Sequence, residues 1–195
     1  MRERAITGTP LGDGADASTM LAVAFPHDQV QILSYNRTVK DLGGLAPGEF
    51  METVRERFEV RRRAPSRARP VDAARGAATS RCISGGQWHT LRPRAPPDPS
   101  DAIGSLDVSV LQERLLAPIL KIADVRTDKR IDFVGGARGT RRARDSWSTR
   151  ARRRSPSRCY PVSVADLMAV SDAGAIMPPK STWFEPKLRD GLLIH

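Results

Sequence analysis

Apolar residues recur along this chain at strand and helix spacings in turn, without a regular strand–helix–strand rhythm, and that pattern predicts an α+β fold. Thr19–Phe25 is a short apolar run stopped by Pro26, as a buried strand would be. His27–Gln29 is polar enough to turn, and Val30–Tyr35 resumes with partial alternation, so the two predict a hairpin. After Gly43-Gly44, Pro47 stands where a first helical turn tolerates it, and Phe50, Val54 and Phe58 follow at intervals of four. That spacing predicts one helix ending near Glu59, with Glu49, Glu52, Arg55 and Glu56 on its polar side.

The pattern lapses over Arg61–Ser84 and resumes in Gly85–Leu91, which reads as a turn and a short strand. Asp107 can cap a helix whose Val108, Leu111 and Leu115 face inward, with Pro118 disturbing its continuation. Asp124–Lys129 is a polar loop, and Ile131–Val134 is a strand closed by Gly135-Gly136. Beyond a second lapse, Tyr160-Pro161 opens a helix. Ser163 and Asp166 are spaced as a loose capping box, Val164, Leu167 and Met168 form an apolar face, and Gly174 is placed to end it. Trp183-Phe184 and Leu192–Ile194 complete the sheet, which is expected to be mixed and mostly antiparallel, with a few packed helices. The corresponding blocks are a linker over 1–18, ordered blocks over 19–60, 85–137 and 160–195, and basic tracts over 61–84 and 138–159.

Charge changes this picture. The chain carries +10 overall, but Arg61–Arg94 and Arg138–Arg158 each hold nine arginines against a single acid. Those two tracts together carry +16, so the rest of the chain sums to −6. The basicity describes two patches, which lack a periodic apolar face and are expected to be disordered. Non-specific nucleic acid is the partner such tracts would attract. No apolar run approaches the length needed to cross a bilayer, and the first residues lack the apolar core of a signal peptide, so a cytoplasmic protein without membrane association is expected. Cys82 and Cys159 stand outside any Cys-x-x-Cys pair, and no metal site is expected.

Gly174–Ser181 (Gly-Ala-Ile-Met-Pro-Pro-Lys-Ser) nearly spells a phosphate loop, but Pro179 occupies the place of the second glycine. Proline removes a backbone donor where donors must converge, and the preceding element reads as a helix, so the Walker reading fails. Lys180, Ser181 and Thr182 still gather polar groups beside Trp183 and Phe184. They are either a capped turn with a solvated rim or a site for an anion, with Lys180 as its point charge. In Arg126–Asp132, alternating charges suit a surface loop, although Asp128 and Asp132 are candidate ligands for a hard cation. Tyr35, Asn36 and Arg37 stand at a strand end, where either capping or function would place them.

The run Leu21–Leu42 resembles the middle of an uncharacterised bacterial family, domain of unknown function 1015, also described as SpoOJ/ParB-like. Ser105–Pro118, Arg126–Gly139 and Tyr160–His195 are similar to its later blocks, and Met177–Arg189 (Met-Pro-Pro-Lys-Ser-Thr-Trp-Phe-Glu-Pro-Lys-Leu-Arg) is the most specific match. Members carry an Asp-Gly-His-His-Arg motif ahead of the block matching Leu21, and this chain has no adjacent histidines. The resemblance implies a nucleotide-binding or phosphotransfer protein when intact. Lys180, Ser181 and Thr182, with Arg126 and Arg130, are then the anion contacts carried over by motif position.

Because the His-His-Arg segment is missing, a truncated remnant, inactive alone, is expected. Relatives carry an acidic helix and an apolar strand where this chain has Arg138–Arg158. Arg, Ala, Ser and Pro dominate GC-rich DNA translated out of frame, so the basic tracts are read as frameshifted. The alternative is a nucleic-acid-binding protein with arginine-rich arms, of which Arg152–Arg158 (Arg-Arg-Arg-Ser-Pro-Ser-Arg) is the clearest example. Oligomeric state is not legible here.

Overall fold

The computed structural model describes residues 22, 24, 26–33, 35–63, 80–84, 87–135, 155–158 and 162–187. The chain divides into two compact units, one formed by residues 1–31 with 186–195 and the other by Ile32–Glu185. In the first, Gln29 N donates to Pro26 O at 3.1 Å and closes the turn expected over His27–Gln29. Ala22 and Ala24 there are exposed and outside any strand; the other residues of the expected Thr19–Phe25 strand lie outside the described residues.

The second unit is α+β. In chain order its elements are β1 (Gln31–Leu33, whose first residue belongs to the other unit), β2 (Asn36–Val39), α1 (Pro47–Arg57), β3 (Phe58–Arg63), β4 (Ser80–Ser84) and β5 (Gln87–Pro93). They are followed by α2 (Asp107–Leu111) with a π-helical continuation over Gln112–Leu116, then β6 (Ile131–Val134), β7 (Ser155–Arg158), α3 (Val164–Asp172) and β8 (Trp183–Glu185). Among the described residues, six strands form one sheet in the order β3-β5-β4-β7-β2-β6, and β1 pairs with β8 in a separate ribbon. Every registered pair in the large sheet is antiparallel.

Directly opposed residues share a sheet face, so the register traces one face across the sheet. Val60 stands opposite Leu91, Cys82 opposite His89, Arg37 opposite Phe133, and Val39 opposite Ile131. Phe58, Leu91, Cys82, Val39 and Ile131 are buried in one hydrophobic core with Phe50, Met51 and Val54 of α1 and the segment Leu106–Ile122. Arg37 therefore lies on the core face, at one end of the apolar row.

The helix at Pro47 forms where the spacing predicted it, with Glu49 Oε2 accepting from Ala46 N at 2.9 Å to satisfy one of the free N-terminal donors. It stops at Arg57 rather than Glu59. Phe58 is already the first residue of β3, and it still reaches the core because strand and helix meet there without a loop. β3 and β4 also reach into the margins of the first basic tract, at Arg61–Arg63 and Ser80–Ser84. Phe58 and Val60 alternate with Glu59 and Arg61, which gives β3 the period of a half-buried strand despite its arginines. Residues 64–79 lie outside the described residues.

From α2 to Ile122, the large apolar side chains are buried. Val108, Val110, Leu111, Leu115, Leu116, Ile119, Leu120 and Ile122 are all buried. Pro118 has no N–H, and around it the bonding shifts to a wider turn: Ala117 N donates to Gln112 O (2.9 Å) and Leu120 N to Leu115 O (3.2 Å). The chain then reverses at Lys121, whose φ is +57°. Gln112 Nε2 bridges the return by donating to the carbonyls of Ile122 (2.9 Å) and Ala123 (3.1 Å).

At α3 the capping box is complete, with Ser163 Oγ accepting from Asp166 N and Asp166 Oδ2 accepting from Ser163 N. Gly174, at φ +63°, ends the helix as expected. The buried side differs from the expected one: Val170 is buried, whereas Met168 is 58% exposed. Leu192–Ile194 lie outside the described residues.

Candidate functional site

Most of the sequence candidates fall into two clusters at opposite ends of β2. At its C-terminal end, Lys40 N donates to Arg130 O at 2.8 Å. Arg130 is tied down on all sides there. Its Nη2 reaches Asp128 Oδ2 at 2.8 Å, its Nη1 lies 3.6 Å from Asp41 Oδ1, and the same two nitrogens donate to the carbonyls of Leu120 and Lys121 at 3.0 and 2.9 Å. This guanidinium fastens the reversal at Lys121 to the β2 end.

The bonded Arg130 side chain holds the Asp128 carboxyl below its ordinary range. Asp124 is lowered in the same way by Arg126, which it grips at 3.0 Å on an exposed loop. Asp132 faces Lys40 at 3.7 Å. Among the described residues, no group of three or more His, Cys, Asp and Glu is arranged to hold a metal ion.

The N-terminal end of β2 is chemically different. Arg37 is 2% exposed, and its Cζ sits 5.4 Å from the centroid of the Phe133 ring. Nη1 donates to Tyr35 O at 3.3 Å, and Nη2 reaches two successive carbonyls, of Pro179 (3.5 Å) and Lys180 (3.4 Å). These are long contacts, so the interaction is as much charge against carbonyl dipoles as directed bonding.

The Tyr35 ring meets both Phe133 and Trp183 edge-on, with centroids 6.5 and 5.3 Å away. Gly135 lets these rings close: a Cβ there would stand 2.1 Å from Trp183 Cε3 and 2.8 Å from Tyr35 Cε1. Trp183 Nε1 donates to Glu185 Oε2 at 3.0 Å. Lys180 completes the corner, with its Nζ 5.7 Å from the Tyr35 ring centroid and its backbone at φ +56°. Ser181, buried, donates from Oγ to Pro178 O at 2.6 Å and tightens the same turn. Thr182 is half-buried directly before β8.

Two candidate groups far apart along the chain, one with Tyr35 and Arg37 and one with Lys180 and Ser181, are thus in one place. Asn36, on the opposite sheet face, donates from Nδ2 to Val134 O at 3.2 Å, while its Oδ1 is buried with no partner among the described residues. Arg130 belongs to the other cluster, and Arg126 stands apart from both, paired with Asp124 on an exposed loop. Arg37 and Lys40 are three residues apart, which is roughly 10 Å along a strand. Phe133, Gly135 and Trp183 complete the corner although none was a site candidate; a glycine pair directly after a strand was the available signal for close approach.

Fold and corner together define an α+β protein with an aromatic-lined cationic corner where β2, β6 and the turn before β8 meet. A family model described as "Protein of unknown function (DUF1015)" matches residues 2–109, and the chain belongs to that family. The match takes in Tyr35 and Arg37 but ends before Phe133, Lys180 and Trp183. No curated protein matches the chain, and no solved structure does. Among the described residues, no helix is long and apolar enough to cross a membrane.

Proposed function

We propose that the Lys180 corner binds a phosphate-bearing anion, a nucleoside triphosphate in the ParB-like reading of the family, and that this chain binds it without turning it over. One observation carries the reading: an exposed ammonium is held over the Tyr35 ring by a turn that Arg37 and its own Ser181 fix in place. A preset charge of this kind suits a ligand whose own charge is concentrated. Thr182 is the hydroxyl expected beside it, and Tyr35 and Trp183 offer edges to a planar ring. Binding without turnover is favoured because neighbouring groups are already engaged, Ser181 with Pro178 and Glu185 with Trp183. The test is calorimetric titration with ATP at low salt, comparing the natural chain with Lys180→Gln. An affinity loss of about tenfold is expected for one charge-assisted contact. Absence of ATP binding, or equal binding by the variant, defeats the reading.

A second reading rests on Arg61 and Arg62, both exposed on β3 at the sheet's edge. They lie in the first basic tract and suit contact with nucleic-acid phosphates. Short RNA titrated between 50 and 200 mM salt separates the two readings. An arginine-mediated complex weakens steeply with salt and is impaired by Arg61→Ser with Arg62→Ser, whereas those changes leave ATP binding alone.

A further inference from the structure

We infer that Arg37 is the positioning residue of the Lys180 site. It sets the turn that carries the ammonium and does not itself meet the ligand. The inference rests on the anion-binding reading for its purpose, but its geometry stands independently. Lys180 holds a left-handed backbone, which side-chain-bearing residues adopt only at an energetic cost. Something must hold it there. Pro178 and Pro179 contribute no N–H to the turn, so the stabilising donors come from side chains.

Ser181 supplies one donor, to Pro178 O. Arg37 supplies the other, with a single nitrogen set against the carbonyls of Pro179 and Lys180, 142 and 143 residues away in sequence. Its guanidinium is itself fixed by the β2–β6 register, the Phe133 ring and the Tyr35 carbonyl. A planar fork can serve the turn and Tyr35 at once, whereas a lysine ammonium at the end of a flexible stem cannot be held the same way. At 2% exposure, Arg37 stands behind the turn. Its neighbour Tyr35 then receives the Lys180 ammonium on its ring, so one strand end orients both the backbone and the charge of Lys180.

Two measurements on the full chain test this. The first needs no ligand. Proton NMR of the Lys180 Hε resonances should show an upfield ring-current shift from Tyr35 in the natural chain. That shift should be lost in Arg37→Met and Arg37→Lys while far-UV circular dichroism and cooperative unfolding are retained. A shift that persists in folded Arg37→Lys overturns the inference, whatever binds.

The second is a double-mutant cycle on ATP affinity with Arg37→Met, Lys180→Gln and the double variant. If Arg37 acts through Lys180, each single change weakens binding, by roughly three- to tenfold for Arg37→Met, and the double variant is no weaker than Lys180→Gln alone. Additive losses would make Arg37 a direct contact and overturn the inference. Failure of the natural chain to bind ATP removes the anion-binding reading, while the resonance shift still decides whether Arg37 positions Lys180.

Discussion

The segment Leu106–Ile122 and the half-buried corner where Tyr35 and Trp183 surround Arg37 are held together by opposite means. The first buries its apolar side chains side by side, and its backbone irregularity at Pro118 is absorbed by wider turns and by Gln112. The second buries a guanidinium on the core face of a sheet, sets it against a ring and three carbonyls, and holds a lysine in a strained turn beside it. An apolar segment tolerates rearrangement so long as volume is kept, whereas a polar corner depends on where each acceptor lies. The first arrangement serves stability and the second serves placement.

Truncation in the apolar segment should therefore have the largest effect on folding. Leu116 is fully buried, and Leu116→Ala removes packing that the surrounding core cannot fully recover. A loss of about 2–5 kcal/mol is expected, read as a lower denaturant midpoint with an unchanged slope. Lys180→Gln, by contrast, should leave the midpoint within about 0.5 kcal/mol, since the residue is exposed. If both changes shifted the midpoint equally, the division between a stabilising segment and a placing corner would fail.

Gly135 sharpens the comparison because it lies within the corner. A Cβ there would enter the Trp183 ring, and both that ring and Tyr35 would have to move. Gly135→Ala is expected to destabilise by about 1–3 kcal/mol and to change the near-ultraviolet dichroism of the aromatic cluster. An unaltered aromatic signal in the folded variant would mean that the rings are not packed as described. ATP affinity should fall with it, because displacing Tyr35 removes the surface on which Lys180 rests.

How far these regions were legible in the sequence follows from how local their causes are. The face of α1, the strand Ile131–Val134 and the Ser163–Asp166 box depend on residues within a few positions of one another, and the pattern predicted them. The α3 face did not follow, because which side of a weakly amphipathic helix is covered depends on its neighbours. β7 has no apolar signal in Ser155–Arg158, and its strand arises from the ladder it completes between β4 and β2. The corner lay further out of reach. Tyr35 and Arg37 formed one candidate group and Lys180 another, but the contact from Arg37 to the Lys180 turn spans 143 positions, and no periodicity encodes that distance.

Ser163→Ala tests the local kind of cause. It removes the hydroxyl that accepts from Asp166 N and leaves Asp166 with only the Ser163 backbone to hold. A loss of about 1 kcal/mol is expected, measured by thermal unfolding, and ATP affinity should be unchanged. A loss as large as that of Leu116→Ala would show that α3 supports the core more than the exposure of Met168 implies.

The smallest expected effect concerns pH at the far side of the same sheet face. His89 stands opposite Cys82, and its pKa is lowered first by burial and then by Arg55 and Arg62, while a hydrogen bond with the Ser84 backbone pulls the other way. Because the folded pKa lies below the ordinary value near 6.5, histidine is neutral in both states at higher pH and contributes no difference there. As pH falls through that value the unfolded chain takes up the proton first, so folding stability declines until the folded form is protonated too. Cys82 cannot contribute in this window, since burial pushes its thiol up to about 12. His89→Gln should therefore flatten the stability profile between roughly pH 7 and 5, by no more than about 0.5 kcal/mol given the exposure of the ring. A profile that keeps its slope in the variant would locate the titration elsewhere. A decline much larger than this would mean that the edge of the core face near His89 is as sensitive to charge as the corner at Arg37.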